Sequence, residues 1–125
     1  FAYGHLPLAY SARCFTARAL DLPKDQCGFR CIDYPDGLPL ATREGRPFLR
    51  INGIQVQGEE TTALGPELPA VHELGVDVLR LYPQVQGMEA IVRHFDTARA
   101  SSQALPRIGE RNGYWHGEPG MKLAG

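Results

Sequence analysis

"PFLRINGIQV", residues 47 to 56, admits two readings, and the architecture of the chain turns on which of them holds. Its branched and aromatic residues suit a β-strand. Asn52-Gly53 between apolar neighbours is also the sharpest short-range hairpin signal, because glycine adopts the positive φ that a two-residue turn requires. On local grounds both stay open: one continuous strand, or two strands folded back on each other.

The residues that follow carry clearer periodicity. "LGPELPAVHELG" (64–75) places Pro66 at a helix start and Gly75 just past its end, with Leu64, Leu68 and Val71 at helical spacing. "VDVLRLYP" (76–83) puts Val76 and Val78 on one face and Leu79 and Leu81 on the other, the pattern of a central parallel strand buried on both sides. "GMEAIVRHFDTAR" (87–99) sets Met88, Ile91, Val92 and Phe95 at the spacing of an amphipathic helix, with Glu89 and Arg93 able to pair on its outer side. Taken in order, residues 47–100 read as a βαβα unit, which predicts an α/β fold, doubly wound or barrel.

Upstream, "FAYGHLPLAY" (1–10) predicts a short strand, since Gly4 and Pro7 interrupt any helix. Residues 11–46 sustain neither helical nor strand periodicity, so 1–46 reads as a strand plus a long cysteine-bearing loop. A loop of that length inside a compact domain needs something to organise it, and a bound metal would supply the cross-links. Residues 101–125, ending in "RIGERNGYWHGEPGMKLAG", predict a glycine-rich, irregular tail. The whole is expected to be a single partial domain: the length suits one core, and Phe1 opens on residues that read like the interior of an element.

Composition narrows the function classes. With 43% hydrophobic and 22% charged residues the chain falls in the ordinary globular range, and a formal charge of -1 lacks the basic footprint of a nucleic-acid binder. No apolar run approaches the roughly eighteen residues of a membrane span, and no signal sequence opens the chain, so a cytoplasmic protein is expected.

Cys14, Cys27 and Cys31 are all the cysteines there are, spaced C-x12-C-x3-C. An odd count argues against a disulfide framework, and clustered thiols favour a metal, zinc or iron–sulfur. Zinc would take a histidine as fourth ligand, His5 or His116, whereas a four-iron cluster would take a fourth cysteine, which the sequence lacks. Arg13, Arg18, Lys24 and Arg30 outnumber Asp21 and Asp25 around them and would favour thiolates. Two other readings stand beside this one: buried, unliganded cysteines, and a nucleophilic Cys14 served by His5. His72 and His94, on helices, are assigned no role, and His116 reads more simply as a surface tail residue than as a ligand.

"YGHLPLAYSARCFTAR", the cysteine triplet, "YPDGLPL", "INGIQ", "GVDVLRLYPQ" and "NGYWHGEPG" together resemble the UbiV-like proteins of ubiquinone biosynthesis, within the collagenase-like peptidases, family 32 of the unclassified (U) peptidases. The likeness runs along nearly the whole chain and corresponds to the C-terminal portion of such a protein. It implies a barrel-like (β/α) domain and an oxygen-sensitive four-iron four-sulfur cluster, with Cys14, Cys27 and Cys31 as three ligands and the fourth upstream of Phe1. The fragment would then lack one ligand and could be without the cluster. It also implies a UbiU-like partner in a heterodimer, a ubiquinone precursor as substrate, a lipid-binding accessory protein, and oxygen-independent hydroxylation, with the peptidase label inherited from the family. A collagenase-like cysteine hydrolase and a structural zinc domain are the alternatives. In a barrel "PFLRIN" is one strand ending near Asn52 and "VDVLRL" the next, which argues against the hairpin. Asn52 and Arg80, near strand ends, are then the candidates to face the catalytic site, Arg80 as a carboxylate clamp.

Overall fold

The structure, a computed structural model, describes residues 1–101, 103–109 and 111–124, and all of their side chains except those of Lys24 and Ala100. Ser102, Glu110 and Gly125 of the expected tail, and the Lys24 charge in the cysteine segment, therefore lie outside the described residues.

The elements run β1 (Tyr3–Tyr10), α1 (Phe15–Ala19), β2 (Leu38–Ala41), β3 (Pro47–Asn52), β4 (Gln55–Ala63), α2 (Leu68–Glu73) and α3 (Met88–Ser101). Short 3-10 turns occur at Lys24–Gln26, Arg30–Asp33 and Gly113–His116. The mixed helix and strand content agrees with the expected class. The strands form one four-stranded sheet in the order β1-β4-β3-β2.

The hairpin reading of residues 47–56 is the one that holds. Asn52 pairs with Gln55 and Arg50 with Gln57, so β3 and β4 are antiparallel around a two-residue loop. Gly53 carries the positive φ, 60°, at the first loop position, and Ile54 needs none, which is the type II′ arrangement. The expectation of a single barrel strand followed by a helix is thus corrected: the βαβα unit of 47–100 opens with two strands, because the glycine turn closes locally before any crossover can begin. β2 extends the meander, pairing Leu38 with Ile51 and Leu40 with Leu49 before a bulge at Ala41.

A second correction concerns "VDVLRLYP". It forms one parallel bridge, Tyr3 with Leu81, in which the Ala2 N–H donates to the Arg80 carbonyl and the Tyr82 N–H to the Tyr3 carbonyl. Parallel pairing is present, but a central strand buried on both faces is not: Val78 is 80% exposed. An apolar alternation becomes a strand only where a partner backbone continues the ladder, and here it meets residues 2 and 3 alone among the described residues. Gly4 permits that approach, since a Cβ there would stand 2.5 Å from the Tyr82 Cβ.

Packing divides the chain into two units, Phe1–Gly4 with Thr61–Gly125, and His5–Glu60. The first has an apolar core of Ala2, Tyr3, Ala63, Leu68, Ile91, Phe95, Ala98 and Leu105, with Leu79, Leu81 and Met88 against it. Of the four residues that the sequence marks as the apolar helix face, Met88, Ile91 and Phe95 join this core while Val92 is 47% exposed, and the Glu89–Arg93 pair forms on the outer side at 2.5 Å. Among the described residues the second unit has no comparable core. Its buried residues are Thr16, Ala17 and Gln57 among those described, while Phe29 and Ile32 are 72% and 75% exposed. Hydrogen bonds hold it instead: the Phe15 N–H donates to the Gly53 carbonyl at 2.8 Å, and the Gly53 N–H donates to the Thr16 hydroxyl at 3.0 Å.

Candidate functional site

The cysteine segment belongs wholly to the second unit. It is less irregular than its sequence implies. α1 spans one turn and a half, and the 3-10 turn Arg30–Asp33 packs against it. Elements this short leave no apolar period to read. Cys14 is the N-cap of α1, where its sulfur accepts the Ala17 N–H at 3.5 Å. Cys31 lies in the packed 3-10 turn and donates its S–H to the Phe29 carbonyl at 3.7 Å. Cys27 ends the preceding turn. All three thiols are free and half-buried.

Phe29, between Cys27 and Cys31, adopts φ 52° as the residue before the Arg30–Asp33 turn. A side chain other than glycine in the left-handed region costs about 1 to 2 kcal/mol, so this turn holds its shape against backbone preference. The charges around the cysteines are mostly at the surface, with Arg30 paired to Asp33 at 3.2 Å.

Whether these residues suit an iron–sulfur cluster has two parts. The donor chemistry does: three soft, unbonded sulfurs in one unit, two of them on elements that pack together. Their placement does not close a coordination sphere, for among the described residues no three His, Cys, Asp or Glu side chains form a group able to hold a metal. No reaction step is therefore routed through a cluster.

The hydrolase alternative finds no dyad. The His5 Nδ1 lies 3.0 Å from the Gly58 carbonyl, and among the described residues no histidine hydrogen-bonds to Cys14. Asn52 sits at the end of β3, in the second unit, and Arg80 is exposed in the first, its guanidinium carbon 5.8 Å from the Tyr82 ring centroid. Arg80 does not line the cavity of the first unit. That cavity, about 480 Å³, lies between α2 and α3, with Leu68, Val71, Val92 and Phe95 as walls and His72, on α2, also lining it. His94 lies edge-on to Phe95.

A cluster that sequence reasoning missed lies in the first unit. Glu67 precedes α2 and is 9% exposed; its Oε1 accepts from the Asn112 Nδ2 at 2.7 Å and stands 3.2 Å from the His116 Nε2. Asn112, 1% exposed, also ties both backbone groups of Ala124, donating to its carbonyl at 2.8 Å and accepting its N–H at 2.7 Å. His116 is thus more than the surface tail residue expected, with its side chain 34% exposed and its ring set against a buried carboxylate. Asn112, His116 and Ala124 are tied into the tail by this network, and the 3-10 turn Gly113–His116 carries the histidine.

No known protein-family profile matches the chain, and no solved structure matches it. Among the described residues, no helix is long and apolar enough to cross a membrane.

Proposed function

We propose that this chain is the C-terminal portion of a UbiV-like iron–sulfur protein, cytoplasmic and required for oxygen-independent hydroxylation of a ubiquinone precursor, with Cys14, Cys27 and Cys31 as ligands of a four-iron cluster. The UbiU-like partner and the lipid-binding accessory protein belong to the same proposal. They rest on the resemblance of the quoted motifs.

The observation that carries the reading is the contrast within the second unit: three free, half-buried thiols stand in a segment whose fully buried apolar residue, among those described, is Ala17 alone. Units this small commonly depend on a disulfide, a metal or a partner for stability. The thiols form no disulfide, so a metal is the cross-link that their donor chemistry suits. When bound, an iron–sulfur cluster supplies electron-transfer chemistry. The protein's own residues hold the donors: α1 carries Cys14 at its cap, the Gly53 turn fixes the start of α1, and the 3-10 turn presents Cys31.

Anaerobic reconstitution of this chain with ferrous iron, sulfide and an external thiol tests the proposal. Iron and sulfide retained in equal amounts, with visible charge-transfer absorption lost in Cys14→Ala, Cys27→Ala and Cys31→Ala alike, is the expected result. Retention of zinc in preference to iron, or iron uptake indifferent to all three substitutions, would refute it.

A further inference from the structure

Glu67, Asn112 and His116 lie outside everything proposed above, in the unit that holds no cysteine. We infer that they form a proton-accepting site, with the His116 Nδ1 as base, for a small neutral ligand that presents a weakly acidic hydroxyl or thiol proton.

The geometry sets the roles. The Glu67 Oε1 stands 3.2 Å from the His116 Nε2, so in the neutral ring Nε2 carries the hydrogen and donates it to the carboxylate. Nδ1 is then the lone-pair nitrogen, and it makes no hydrogen bond among the described residues. The Asn112 Nδ2 holds the same carboxylate oxygen at 2.7 Å, and Asn112 is itself immobilised by its two bonds to Ala124. A buried amide orients a buried carboxylate, and the carboxylate orients a ring that is 34% open to solvent. This is the arrangement in which an acid–base histidine is kept in one tautomer by a carboxylate behind it.

A purely structural role leaves one feature unexplained. The Glu67 Oε2 is buried and has no hydrogen-bond partner among the described residues, although Glu67 provides no cap for α2 that would account for a carboxylate there. Buried polar groups in structural networks are nearly always satisfied, so the free acceptor is a place for a water, an ion or a ligand group. A carboxylate with unspent acceptor capacity, next to an imidazole, is ready to face a positive ring.

The step is a proton transfer without redox change. The ligand's O–H or S–H bond breaks with its electron pair left on the ligand, the proton goes to Nδ1, and the imidazolium so formed is held by the Glu67 carboxylate. Return of the proton to water or to the product restores the neutral ring.

Two measurements on the full chain test it. Long-range nitrogen–proton NMR of the ring nitrogens should show His116 as the Nε2–H tautomer, and Glu67→Gln should give a mixture of tautomers while leaving the fold intact by hydrogen exchange. With 4-nitrophenol as probe ligand, the wild type should raise the phenolate absorbance at a pH where the free probe is mostly protonated. His116→Gln should abolish that rise, and Glu67→Gln should weaken it about tenfold, as loss of an orienting partner commonly does. A neutral ring protonated at Nδ1, or a phenolate signal unaffected by both substitutions, overturns the inference. Neither measurement involves iron, so failure here is separable from failure of the cluster proposal.

Discussion

The Thr16 hydroxyl accepts the backbone N–H of Gly53 at 3.0 Å, joining the first turn of α1 to the tip of the β3–β4 hairpin. The adjoining bond from the Phe15 N–H to the Gly53 carbonyl makes the contact reciprocal. Cys14, the cap of α1, therefore takes its position from a glycine turn far along the sequence. Thr16 is 2% exposed, and Thr16→Val keeps its shape while leaving the Gly53 N–H without an acceptor. The substitution should cost about 1 to 2 kcal/mol in urea unfolding and speed the alkylation of Cys14. An unchanged midpoint together with unchanged thiol reactivity would show that the bond positions nothing.

Gly4 marks the closest approach of β1 to the 80–82 segment. Its φ is 123°, and an added Cβ would stand 2.5 Å from the Tyr82 Cβ. Both the backbone conformation and the contact oppose a side chain, so Gly4→Ala should destabilise the protein by about 3 kcal/mol or more. Thermal unfolding with stability close to wild type would contradict the bridge between Tyr3 and Leu81.

Two ion pairs separate burial from mere proximity. Arg50 and Glu59 are 18% and 16% exposed at their side chains and 2.6 Å apart, with Arg50 also donating to the Asp36 and Gly37 carbonyls. Glu89 and Arg93 are at 2.5 Å but about four-fifths exposed. Glu59→Gln should cost about 2 to 3 kcal/mol, because it leaves a largely buried guanidinium without its counter-charge. Glu89→Gln should cost only about 0.3 kcal/mol, as exposed helical pairs do. Equal effects in denaturant titrations would mean that burial is not what distinguishes them.

How much of this was readable from sequence depended on the range of the interaction. α3 was legible because Met88, Ile91 and Phe95 repeat on one face and meet one core. The hairpin at 47–56 was legible in its glycine, yet the family resemblance pointed to a single strand, and the local turn chemistry prevailed. "VDVLRLYP" carried a buried-strand pattern that only a partner backbone could realise, and one bridge was all it met. In the cysteine segment, α1 and the 3-10 turns are too short to leave a period. The three cysteines were evident from composition, but their exposure and bonding were not. Glu67 and His116 lie 49 positions apart, joined through side chains alone, and nothing local announces such a pair.

If metal organises the cysteine segment, its dynamics must respond to metal while the first unit does not. Amide hydrogen exchange over residues 11–46 should slow on anaerobic loading with iron and sulfide, with α3 and its core unchanged. Equal protection of that segment with and without metal would remove the reason for proposing a cross-link there.

The sharpest test is to alkylate the thiols and read Cys14, Cys27 and Cys31 separately by mass spectrometry, before and after that loading. The account predicts that all three are alkylated in the metal-free chain, each at its own rate, and become protected together once iron and sulfide are bound. If any one of them keeps its original rate while iron is retained, or if protection comes from sulfur–sulfur bonding between them, the three are not ligands of one cluster.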